Sequence, residues 1–255
     1  MRVDRLEAME QYVIDRGSAS LEDIAQEFNI STNTARRDIG ELLIRNNIKK
    51  VYGGVAVNAD TSPRTHINRV NDNTKSKDAI GQLAASIVED GDTIYLDSGS
   101  TTPNIVKYLK DRRNITVITN NLMVMTECAS YQNINLITLG GVYDAQAATF
   151  MGSIPLGALS QFSIKTVFLS AAGVSICAGL TSSSYMEAEM KRTVSKMGEQ
   201  CVLLANEEKF GHAAAVKFYS FNELRVIVTD KPPARTYLET MEKFGIKLLC
   251  PETSD

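Results

Sequence analysis

The sequence predicts two folds in series: a small N-terminal helical module carrying a two-stranded wing, then an α/β domain built on a mostly parallel sheet. Three observations lead there. Apolar residues recur at helical spacing three times within the first 45 residues, and a glycine-broken, β-prone run follows. A polar stretch that holds Pro63 and lacks apolar periodicity then interrupts the chain. Beyond it, short apolar strands alternate with helical patterns, as in a sheet covered on both faces. The expected boundaries are 1–57 for the module, 58–74 for a linker and 75–255 for the α/β domain.

Taken in order, Leu6, Met9 and Val13 mark a first amphipathic helix that Gly17 stops. Ser20 stands as N-cap of a short second helix with Ile24, Ala25 and Phe28, and Asp23 occupies the capping-box position, although Asp reaches less far than Glu. Asn29 and Ile30 turn the chain. Ser31 then caps a third helix whose apolar face is Ala35, Ile39, Leu42 and Leu43, and whose other face holds Thr32, Asn33, Arg36 and Arg37. The ribbon spans 48–57, with Gly53 and Gly54 permitting a tight turn or bulge. Three helices and a ribbon make a winged helix-turn-helix. In the α/β part, strands are expected at 93–96, 115–119, 134–139, 166–170, 201–205, 224–229 and 246–249. Helices are expected at 80–88, 103–109, from 122 onward, 154–159, 185–197 and 235–244.

Composition narrows the function. Hydrophobic residues make up 44% of the 255 and charged residues 22%, values typical of folded soluble chains. No run approaches the roughly 18 apolar residues that a membrane span needs, and the charged, amphipathic start does not resemble a secretory leader, so a cytoplasmic protein is expected. Cys128, Cys177, Cys201 and Cys250 are widely separated with no C-x-x-C pair, which argues against a metal site and for small buried hydrophobes; no cofactor is expected. A net charge of −3 disfavours nucleic acid only if spread evenly. It is not: residues 1–30 hold three basic against seven acidic groups, and residues 31–57 hold five against two.

Arg5, Met9 and Val13 recur with Ser31-Thr32-Asn33-Thr34-Ala35-Arg36-Arg37-Asp38-Ile39 and with Tyr52-Gly53-Gly54 in the wing. In this long, gapped pattern the N-terminal residues resemble the DeoR family of bacterial sugar-metabolism regulators. It continues through Asp97-Ser98-Gly99-Ser100-Thr101-Thr102, Thr119-Asn120-Asn121, Gly140-Gly141, Glu187 with Lys191-Arg192, and Lys209-Phe210-Gly211. The resemblance implies a sensor domain similar in fold to sugar-phosphate isomerases and CoA transferases. It also implies a repressor of a sugar uptake or catabolic operon that leaves DNA when a phosphorylated sugar binds. One departure is Asn206, where many relatives carry Asp three residues before Lys-Phe-Gly.

A recognition helix offers its first residues to base edges, and flanking donors to phosphate fix its register. Thr32, Asn33 and Arg36 are therefore the expected base readers, since Arg pairs bidentately with guanine and Asn with adenine. Ser31, Thr34, Arg37, Lys49, Lys50 and Tyr52 are expected at the backbone. The bland alternative makes Arg36 and Arg37 a solvated pair bridging to Asp38 or Glu41. Paired half-sites would require a two-fold oligomer, a dimer or tetramer.

For the sensor, Asp97, Ser98, Gly99, Ser100, Thr101 and Thr102 follow an apolar strand and precede Pro103, an arrangement that gathers N–H groups and hydroxyls for an anion; an ordinary Ser/Thr-capped helix is the competing reading. Asn120, Gly141 and the 170–173 segment end other apolar strands and can converge on the same edge, although the tandem glycines also suit plain turns. Glu187 and Lys191 lie four apart on a helix with an apolar stripe of Met186, Met190, Val194 and Met197, a spacing that equally favours a surface ion pair. The resemblance places both beside the ligand, Glu187 toward sugar hydroxyls and Lys191 toward the anion, with Lys209 a second cation. The rival functions are a sugar-phosphate isomerase-like enzyme fused to a DNA-binding module, with Glu187 as base, and an architectural DNA-binding protein without a ligand. Only two histidines are present, His66 and His212, neither in a catalytic motif.

Overall fold

Helices α1 (Arg2–Arg16), α2 (Leu21–Glu27) and α3 (Thr32–Ile44) precede a β-ribbon of β2 (Ile48–Val51) and β3 (Gly54–Val57). The computed structural model describes residues 2–44, 48–51, 53–57, 72–152 and 157–251, so Tyr52 and most of the expected linker lie outside the described residues. The chain divides into two units, Met1–Arg64 and Thr65–Asp255.

The capping box at α2 is complete: the Asp23 N–H donates to Ser20 Oγ at 3.0 Å and the Ser20 N–H to Asp23 Oδ2 at 3.1 Å, so the shorter side chain reaches after all. An unforeseen strand, β1 (Ser18–Ser20), pairs with β3 and gives an antiparallel sheet in the order β1-β3-β2. Three residues, Ser-Ala-Ser, are too few to show a period. Gly54 is the reason β3 can lie there, because a Cβ on it would stand 2.2 Å from the Ala19 carbonyl oxygen. Met9, Val13, Ile24, Ala35, Leu42, Ile48 and Val55 form the core of this unit.

The second unit opens with α4 (Thr74–Ala85) and centres on seven strands: β4 (Thr93–Leu96), β5 (Ile115–Thr119), β6 (Ile134–Thr138), β9 (Ile164–Ser170), β12 (Gly198–Leu204), β14 (Val226–Val228) and β15 (Lys247–Leu249). They pair in parallel throughout, in the order β15-β14-β12-β9-β4-β5-β6. All seven correspond to strands expected from the sequence. Successive residues face opposite sides. Ile94 and Leu96 join one apolar cluster while Tyr95 joins the other, and Phe168 separates from Val167 and Leu169 in the same way. Helices α5 (Pro103–Val106), α6 (Leu122–Cys128), α7 (Tyr185–Val194) and α8 (Arg235–Phe244) connect strands. Residues 157–159 are helical, while 153–156 of the helix expected there lie outside the described residues.

The sequence did not disclose five short antiparallel strands: the pair β7 (Val142–Asp144) and β8 (Thr149–Met151), and the sheet β10-β11-β13 of Gly173–Ser175, Gly179–Ser182 and Val216–Tyr219. Each has only three or four residues. The cysteine expectation holds for Cys128 and Cys201, which are buried, with burial pushing both thiols up to about 12. It fails at Cys177, which is exposed between β10 and β11.

Strand order creates a switch point. From β4 the chain runs outward to β5 and β6, then returns to the other side of β4 at β9 and proceeds through β12, β14 and β15. The carboxyl ends of β4 and β9 therefore lie side by side with their connections leaving in opposite directions, where open α/β sheets leave a crevice.

Candidate functional site

In the first unit α3 begins at Thr32, capped by Ser31, whose Oγ accepts the Thr34 N–H at 3.2 Å and lies 2.8 Å from Thr34 Oγ1. One hydroxyl proton of this pair is spent on the other, which leaves one for an outside acceptor. Thr32, Asn33, Arg36 and Arg37 are exposed, as are Lys49 and Lys50 on β2. Neither Arg36 nor Arg37 forms an ion pair with another described residue. Asp38, expected as a possible partner for them, is fully buried and instead receives Nε and Nη2 of Arg5 from α1 at 3.1 and 2.7 Å. This takes the one carboxylate next to the arginines away from their face and ties α3 to α1.

In the second unit the switch point is built around Asp97, one residue past β4 and 1% exposed. Its Oδ2 accepts the N–H of Ser170 at 3.0 Å, the hydroxyl of Ser170 at 2.8 Å and the ammonium of Lys191. Lys191, 3% exposed, also donates to the Ser170 carbonyl at 3.1 Å and stands 5.6 Å over the Phe218 ring. Burial alone would push the Asp97 carboxyl up, but the charge and hydrogen bond of Lys191 with the two bonds from Ser170 outweigh it and hold it below the usual carboxylate value. On α7 the stripe is shifted from the expected one: Ala188, Met190, Lys191 and Val194 face inward, and Met186 is exposed. Glu187 and Lys191 do not pair. Glu187 instead accepts from Ser182 Oγ at 2.8 Å, and its N–H is capped by Ser184.

The loop after Asp97 is held from below. Thr102 Oγ1 donates to the carbonyls of Asp97 and Gly99 at 2.7 and 2.9 Å, and Asn121 Nδ2 donates to the same two at 3.0 and 3.1 Å. Thr102 thus does not cap α5, which is a single turn and carries little dipole. Gly99 packs so closely on β9 that a Cβ would stand 2.0 Å from Ser170 Oγ. Ser98 is buried with its hydroxyl on Asp97 Oδ1 at 3.2 Å, while Ser100 and Thr101 are half-buried and their hydroxyls take no partner among the described residues.

The remaining predicted residues are less closely joined. Asn120 is buried with both side-chain atoms in use, Oδ1 accepting from Tyr95 at 2.8 Å and Nδ2 donating to the Phe150 carbonyl at 2.9 Å. Gly141, exposed, follows edge strand β6, two strands from β4. Lys209 ends a short turn beyond β12, on the same edge of the sheet; Asn206, which starts that turn, donates to Glu208 Oε2 at 3.0 Å. Asn121 was not singled out as a ligand residue, and Ser170 only within the 170–173 segment expected at this edge, yet both organise it. The signal for Asn121 was its place as an N-cap before the apolar run from Leu122. An open cleft lined by Arg112, Arg113, Asn133 and Asn135 lies at the opposite edge, where β5 and β6 begin.

The family model "DeoR C terminal sensor domain" matches residues 72–231, and "DeoR-like helix-turn-helix domain" matches residues 5–61. The chain belongs to the DeoR family. Among relatives of this DeoR-family protein, HTH-type transcriptional regulator IolR of Bacillus subtilis is 35% identical over 91% of this chain and 92% of its own length. The glycerol-3-phosphate regulon repressor of Escherichia coli is 27% identical over 94% and 96%. The DeoR-family chain is thus a DNA-binding transcription regulator and not an enzyme. Among solved structures, ribose 5-phosphate isomerase A from Methanocaldococcus jannaschii is 19% identical over 55% of each chain, at a TM-score of 0.41. No described helix is long and apolar enough to cross a membrane.

Proposed function

We propose that this regulator represses a sugar uptake or catabolic operon in the cytoplasm and is released from its operator by a phosphorylated sugar. Thr32, Asn33 and Arg36 read base edges, and Ser31, Thr34, Arg37, Lys49, Lys50 and Tyr52 hold the phosphate backbone, in a dimer or tetramer that matches paired half-sites. The observation that carries the effector half is the 98–102 loop at the switch point. Among the described residues its N–H groups have no acceptor, and two of its hydroxyls are unengaged. A phosphate supplies oxygen acceptors for all of these. Asp97 and Lys191, as a neutralised pair, set the floor of the site. Glu187 and Asn120 lie toward the sugar, Gly141 borders it, and Lys209 adds the positive charge. The name of the E. coli relative, a repressor of a glycerol-3-phosphate regulon, supports a phosphorylated effector.

Binding lowers operator affinity only by the difference in the ligand's affinity for the two arrangements of the protein; typical coupling of about 1–3 kcal/mol weakens DNA binding about 5- to 150-fold. Calorimetric titration of wild type and Lys209→Ala with paired phosphorylated and free sugars, alongside operator binding, tests this. We expect only phosphorylated sugars to bind, more weakly to Lys209→Ala, and to release the operator. Equal affinity for free and phosphorylated forms would reject the phosphate site. Tight binding with unchanged operator affinity would reject the switch.

A further inference from the structure

We propose that Asn121 is the positioning residue of the anion loop: it holds two carbonyls inward and thereby turns the N–H groups of Ser98 and Ser100 toward the bound anion. The proposal rests on the effector reading of the 98–102 loop given above. Asn121 is fully buried, and its amide orientation is fixed, because Oδ1 accepts the Met123 N–H at 2.9 Å and so Nδ2 must face the loop. There it meets the carbonyl oxygens of Asp97 and Gly99 at 3.0 and 3.1 Å. Thr102 Oγ1 binds the same two oxygens from its own side.

The consequence follows from the planarity of the peptide. In a trans peptide the N–H points opposite to the C=O of the same unit. The Asp97 carbonyl shares its unit with the Ser98 N–H, and the Gly99 carbonyl shares its unit with the Ser100 N–H. Fastening both carbonyls to Asn121 therefore aims both N–H groups the other way, and neither finds an acceptor among the described residues. A loop free to rotate these two units would offer an anion carbonyl oxygens as readily as N–H groups. Asn121 thus sets the sign of the site without touching the ligand, and a single side chain couples this orientation to the start of α6.

Asn121→Ser in the full-length chain is the test. Serine retains an N-cap oxygen for α6 but cannot reach the two carbonyls. The probe is inorganic phosphate, followed by calorimetry and by the backbone amide signals of Ser98 and Ser100. In wild type both signals should move on titration. In Asn121→Ser the affinity should fall about 10- to 100-fold, the loss of one or two hydrogen bonds to a charged group, with smaller amide shifts at saturation. Thr102→Val removes the other donor to the same carbonyls and should weaken binding in the same direction, with Thr102→Ser restoring it; this arm decides the matter if Asn121→Ser fails to fold. Folded variants with wild-type affinity and shifts would overturn the positioning role while leaving the anion site standing. Wild-type Ser98 and Ser100 signals that ignore phosphate would overturn the anion site itself, and the positioning role with it.

Discussion

Asp97 and Lys191 show what a single residue contributes when its partner is 94 positions away. Removing one member of a buried ion pair strands the other, at a cost of about 3–5 kcal/mol, whereas replacing both with neutral groups of similar shape is often nearly neutral. We therefore expect Asp97→Asn and Lys191→Met each to destabilise the sensor unit strongly in denaturant unfolding, and the double variant to recover most of the loss. The pH dependence has a definite sign. A carboxyl held below its ordinary value of about 3.9 adds stability that is complete above that value and is lost as the pH falls through its lower folded-state value. Wild type should lose stability along that acid limb, and the double variant should lack the contribution. Additive losses in the double variant would refute the pairing. Asp97 and Lys191 both stood out in the sequence as candidates at the ligand, but their pairing with each other was not legible, because a nearer carboxylate, Glu187, stands at the favoured spacing of four.

At the scale of elements, the seven parallel strands could be read because each is a run of apolar residues bounded by turn signals. The short antiparallel strands could not, since Ser18–Ser20 or Val142–Asp144 gain their pairing from partners that no local pattern announces. Helix α3 was legible as a helix and as an exposed polar face; the fastening of Asp38 by Arg5 was not. On that helix Arg36→Ala should relax base preference, while Lys50→Ala on the wing should weaken binding to all sequences alike. Losing the phosphate contact should also flatten the slope of log affinity against log salt by about one unit. Operator and scrambled-sequence titrations over a salt series would separate the two, and unchanged affinity and preference in Arg36→Ala would place the reading face elsewhere.

For the molecule as a whole, we propose that the 58–74 segment is a linker between units that fold on their own. Limited proteolysis should cut within it first and leave a stable sensor fragment; cleavage confined to the chain ends after prolonged digestion would contradict that division. The strand order has a further bearing on how the chain is made. As the chain leaves the ribosome, β5 and β6 emerge before β9, the partner of the other edge of β4, which follows β4 by about seventy residues. A sheet of β4, β5 and β6 alone would present the unpaired edge of a strand that is interior in the finished sheet, and the pairing of β9, which brings Ser170 beside Asp97, covers that edge. Synthesis through β9 is thus the step that supplies a partner for the open edge of β4.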